Sequence, residues 1–98
     1  MTEELRPSEK TKYEKMQFVY CEALSNAIKK MQDLFNRTDY HGMQRVYDLT
    51  MVQLGELENK AISERVSDVL ADRVVLNLKS SLERLKRQSE IGLEEVLA

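Results

Sequence analysis

After Pro7 the chain contains no further proline, and its apolar residues recur every three or four positions almost to the end. Proline breaks a helix interior by removing a hydrogen-bond donor and clashing with the preceding turn. A long proline-free stretch with that spacing therefore specifies amphipathic helices. Only three glycines occur, and Leu, Glu, Lys, Arg, Met and Ala, the good helix formers, are plentiful. The fold class read from this is all-α: an antiparallel helical hairpin followed by a third, coiled-coil-like helix, completed by partner helices. With 98 residues there is room for one domain, and a chain this short buries a modest fraction of its surface when alone.

Residues 1–8 read as a flexible tail, with Ser8 or Thr11 as the cap of a first helix. Tyr13, Tyr20, Leu24, Ala27, Met31 and Leu34 form its stripe, widened by Met16, Val19, Ala23, Ile28 and Phe35. Residues 36–42 break the pattern with turn formers, so the helical hairpin occupies 9–58. The second helix carries Met43, Val46, Tyr47, Thr50, Met51, Leu54 and Leu57 along one side. Gly55 within it marks a close backbone approach or a weak point. An interruption is expected at Asn59–Lys60, with Ser63 capping a third helix over 62–90. Its stripe, Ala71, Val75, Leu78, Leu82, Leu85 and Ser89, repeats every seven residues as a coiled-coil seam does. Gly92 loosens a frayed end, 91–98.

Charge and chemistry narrow the function. The 15 basic and 17 acidic residues, net −2, are mixed along the chain, without the concentrated basic patch of a nucleic-acid binder. No apolar run is long enough to span a bilayer, and the acidic N-terminus is unlike a signal peptide. A lone Cys21 excludes an intramolecular disulfide, and the composition fits a reducing compartment. His41 is the single histidine, in a turn; Cys21 has no basic cluster to activate it. There is no phosphate loop, zinc-ligand spacing or nucleophile motif, so no catalytic, cofactor-binding or metal-binding residue is assigned. Small three-helix chorismate mutases are the enzyme alternative, through Asp72-Arg73 and Lys79. The first helix lacks the inward arginine that a dianionic substrate requires. Arg84, Lys86 and Arg87 read as a solvated helix end, and the five methionines as adaptable packing.

The third helix also carries a family resemblance. Val69-Leu70-Ala71-Asp72-Arg73-Val74-Val75-Leu76-Asn77-Leu78, followed by Leu82 and Leu85, resembles a segment of the kinetochore subunit family of polyamine-modulated factor and its yeast NNF counterpart. An aliphatic pair, an acidic–Arg dipeptide, a short aliphatic stretch and spaced leucines follow one another in the same order. The similarity extends over roughly residues 15–88, although Asp39–Met43 lacks the family's Phe-x-x-Cys-Phe-Pro-like stretch and the stalk is abbreviated, as in a head-domain fragment. The resemblance implies a non-catalytic subunit of the MIND complex, in the nucleus at the kinetochore or centromere. There its helices pair with a helical Mis-class subunit and the resulting head receives the centromere protein C tail. No membrane or direct nucleic-acid contact is implied.

Two faces are expected to bind partners. The first is the seam through Val75, Leu78, Leu82 and Leu85, which a hairpin ending near residue 58 is too short to cover. The second is the face around Met16, Val19 and Ala23. Alternatives are a generic coiled-coil adaptor, a homodimer or other homo-oligomer of the isolated chain, and a small helical DNA-binding regulator.

Overall fold

A computed structural model describes residues 7–97. Helix α1 spans Pro7–Asn36, α2 Tyr40–Ser63 and α3 Arg73–Leu97, with a single 3₁₀ helix, Ser67–Ala71, before α3. The three helices lie along one another in a rod of 63 × 20 × 17 Å. An all-α hairpin plus third helix is what the periodicity specifies, and the hairpin packs as read. Leu24, Ala27 and Met31 are buried with Tyr47, Thr50 and Leu54, while Ile28, Leu34 and Val46 flank that core.

Both turns are built by the same device, and neither uses glycine. At the end of α1 the amide of Asp39 donates to Leu34 O and that of Thr38 to Phe35 O, both at 2.9 Å. Thr38 sits between them at φ 57°. At the end of α2 Val66 N–H donates to Ala61 O and Arg65 N–H to Ile62 O, with Arg65 at φ 60°. These paired bonds are the Schellman motif, which satisfies the last carbonyls of a helix and reverses the chain through one left-handed residue. Val66 and Ala61 are both buried, the apolar pairing that accompanies this motif. Asp39 then caps α2 by accepting from Gly42 N–H at 2.9 Å.

Several boundaries differ from the sequence reading. Helix α1 includes Pro7, so Ser8 and Thr11 lie inside it and not at its cap, and the rest of the tail read at 1–8 lies outside the described residues. The break expected at Asn59–Lys60 falls later: α2 continues through Ser63, which ends it and does not cap α3. Residues 64–72 are needed to turn the chain and bury Val66 and Val69 before α3 begins. The cap of α3 is Asp72, whose Oδ1 accepts from Val74 N–H at 2.9 Å and Val75 N–H at 3.3 Å. Helix α3 also continues past 90 to Leu97, and Gly92 is buried within it.

Packing of α3 overturns the larger expectation. Val75, Leu82 and Leu85 are 0%, 1% and 7% exposed, and Leu78 packs half-buried beside them. The seam read as projecting beyond the hairpin is covered by the chain's own α1 and α2. The hairpin is longer than expected at both ends, 30 and 24 residues against 25 in α3. It therefore has the length to cover the seam. What does project is the tip: Gly92 abuts Tyr40, the first residue of α2. The last turn beyond it leaves Val96 and Leu97 exposed.

Candidate partner-binding face

Polar side chains fix α3 against the hairpin at two levels. At the lower end Asp72 Oδ2 accepts from Tyr13 OH at 2.9 Å and Gln17 Nε2 at 2.8 Å, both on α1. Four donors thus converge on one carboxylate. The hydrogen bond from Tyr13, joined by those from Gln17 and the two backbone amides, holds its pKa below the ordinary carboxylate value against a smaller opposing push from desolvation. Higher up, Tyr47 OH donates to Glu83, and Lys86 Nζ lies 4.6 Å from the centroid of the Tyr47 ring. Burial, followed by the Glu83 carboxylate, pushes the Tyr47 phenol up to about 12.

These contacts account for the residues that suggested chemistry. Asp72 is a cap and an inter-helix tie, Arg73 is exposed, and Lys79 lies 5.7 Å from the ring centroid of Tyr20. The basic run at 84–87 is divided, because Lys86 turns to Tyr47 and Glu90 while Arg84 and Arg87 stay exposed. His41 is exposed at the start of α2. Cys21 is half-buried, and burial with the nearby Asp72 charge pushes its thiol pKa up, away from nucleophile chemistry. Among the described residues no three His, Cys, Asp or Glu side chains are placed to hold a metal ion. Nor is any helix among them long and apolar enough to cross a membrane.

The other expected face has a different fate. Met16 belongs largely to the core, at 4% exposed, while Val19 is 41% exposed and Ala23 half-buried. Val19 and Ala23 lie in a shallow groove between α1 and α2 that no residue of α3 lines. One depression holds Ala23, Ala27, Val46 and Leu49; the next shares Ala23, Asn26 and Gln53 with it; the last shares Val19 and continues to Met16. They run together from Lys12 to Lys30, eighteen residues of α1 or about 27 Å at 1.5 Å each.

Leu49, 67% exposed at the rim, is the residue of this face that periodicity missed. It lies outside the stripe of α2, and a single off-stripe leucine is ordinary on a protein surface. Its place beside Ala23 and Ala27 across the helix pair is a tertiary fact. Lys30 lines the same depression as Leu49, while Lys12, Lys15 and Lys60, dispersed in sequence, gather in the fold at the Val19 end. Compared with known proteins, the chain matches no family model, no curated protein and no solved structure.

Proposed function

We propose that this protein is a non-catalytic subunit of a helical assembly, and that the α1–α2 face receives the partner's helix. The observation that carries this reading is the row of three adjoining depressions between α1 and α2, where Val19 stays exposed at one end and Leu49 at the other. Apolar side chains scattered singly need no explanation, but two that line one helix-length groove form a site that a helix fills. The heptad stripe of α3 is already used inside the chain, so the partner face moves from Leu78 and Leu82 to the opposite side of the hairpin.

The assembly we propose is the kinetochore one that the resemblance implies. Its support is the Val69–Leu78 segment and the matching order of elements, with a Mis-class subunit as the helical partner and the centromere protein C tail as ligand of the joint head. The test is co-expression with a Mis-class subunit, followed by size-exclusion chromatography with light scattering. A stable complex is expected, lost in a Val19→Asp, Leu49→Arg double variant whose own circular dichroism and melt are unchanged. Failure to form a complex would remove the kinetochore reading. A complex indifferent to the double variant would place the interface elsewhere.

A further inference from the structure

We infer that the α1–α2 groove is built for an amphipathic helix with acidic flanks. The inference rests on the proposed reading of this face and adds the chemistry of its occupant. Around the groove stand Lys12, Lys15, Lys30 and Lys60 against two carboxylates, Glu22 and Glu64. The face is thus net positive in a chain whose net charge is −2. Among the described residues the ion pairs are Asp33–Arg37 and Lys86–Glu90, so none of the four lysines is paired within 4.0 Å. Glutamates or aspartates on the flanks of an incoming helix would supply the missing partners, and such complementarity governs both encounter rate and choice of partner.

The floor sets the rest of the occupant's chemistry. Ala23 and Ala27 are small, so a helix backbone can approach closely between the taller Val19 and Leu49. The amides of Asn26 and Gln53 sit midway along the groove, where one polar residue of the incoming stripe can be satisfied. A second copy presenting the same face would set lysines against lysines, which disfavours a symmetric homodimer through it. A nucleic acid would meet the lysines but would leave Val19 and Leu49 without apolar cover and would face Glu22 and Glu64. The combination of apolar floor and basic rim selects a helix.

The experiment uses the full chain, ¹⁵N-labelled, titrated with two synthetic eighteen-residue helical peptides. Both carry the same leucine and alanine stripe at i, i+3, i+4 and i+7; one has glutamates on its flanks and the other lysines. The glutamate peptide is expected to shift the amides of Val19, Ala23, Leu49 and Gln53 and to bind more weakly as salt rises. Lys15→Glu with Lys60→Glu should weaken it at least tenfold, and Lys15→Gln with Lys60→Gln by less. Equal affinity for the two peptides, shifts confined to the α3 tip, tighter binding of duplex DNA, or dimerisation through this face would each overturn the inference. A Mis-class complex that forms and ignores the lysine reversals would sink this inference alone. A glutamate peptide that binds here without any Mis-class complex would sink only the kinetochore assignment.

Discussion

Replacing Gly92 and Gly55 by alanine, one at a time, decides whether the C-terminal end of α3 lies against the start of α2. Both glycines are interior to helices, so alanine should stabilise either by about 1 kcal/mol through helix propensity alone. Their surroundings differ. A Cβ at Gly55 would meet nothing within 4 Å. At Gly92 it would lie 2.5 Å from Cε1 and Cζ of Tyr40 and 2.7 Å from Cδ1. Ordinary carbon–carbon contact needs about 3.5–4.0 Å, so the ring must retreat by about 1 Å or more. The ring is not free to do so, because it packs edge-on against Phe35 at 6.3 Å between centroids.

Overpacking of this kind costs about 1–3 kcal/mol, which cancels or exceeds the propensity gain. Gly55→Ala is therefore expected to raise stability by about 1 kcal/mol, and Gly92→Ala to leave it unchanged or lower it by up to about 2 kcal/mol. At about 4–8 °C per kcal/mol for a domain of this size, the two melting temperatures should separate by several degrees or more. Urea and thermal melts followed by circular dichroism read this directly. In a Tyr40→Ala background the Gly92→Ala penalty should vanish, giving a coupling of the size of the clash. If Gly92→Ala stabilises as much as Gly55→Ala, α3 does not lie against Tyr40. The placement of the C-terminal end of α3 on the start of α2 would then be wrong.

Other outcomes follow from the same packing. The Leu78→Glu, Leu82→Glu pair should abolish the cooperative melt of the free protein, since it drives a charge into the core at Leu82; an intact melt would return the seam to a partner. Tyr20 is fully buried and its hydroxyl has no hydrogen-bond partner among the described residues, so Tyr20→Phe should be neutral or stabilising by about 1 kcal/mol in urea melts. Thr38→Gly should raise stability by about 0.5–1 kcal/mol, as relief of the left-handed backbone outweighs the added freedom of the unfolded chain. With pH, the Asp72 contribution is full above the ordinary carboxylate pKa of about 4 and is lost as pH falls through its lower folded value. Asp72→Asn should therefore flatten the acid limb of the stability–pH curve. Tyr47 runs the opposite way: its folded pKa of about 12 keeps its contribution intact below about pH 10 and removes it between there and 12, so Tyr47→Phe should reduce the alkaline loss and leave the share of Tyr20, which burial likewise pushes up to about 12.

Helix existence and core membership were legible because both follow from spacing alone. Leu24, Met31, Tyr47, Leu54, Val75 and Leu82 sit where a period of 3.6 puts them, and all are buried. The turns were legible only in part. Asn36–Gly42 was marked by turn-forming residues, whereas the reversal at 64–66 carries no glycine and depends on Arg65 taking a left-handed conformation that arginine seldom adopts. Gly55, read as a close approach or a weak point, has no close approach, whereas Gly92, read as loosening the end, has one. A residue without a side chain marks either a close approach or nothing at all, and Tyr40, fifty-two positions away in sequence, decides which.

The proposed partner face is the least legible part, for a reason intrinsic to periodicity. A heptad stripe states that a helix has an apolar face to cover and is silent on whether the cover comes from the same chain. Here the strongest stripe, Val75 to Leu85, is covered within the molecule, with Leu78 half-buried, because the hairpin is long enough to reach it. What lines the proposed face is weaker in sequence: Val19 at the edge of one stripe, Leu49 off another, and lysines scattered from 12 to 60. A binding surface on a self-sufficient bundle is by construction made of residues its own core did not need. The proposal therefore rests on the leftovers of the helical pattern, brought together by the hairpin, and not on the pattern itself.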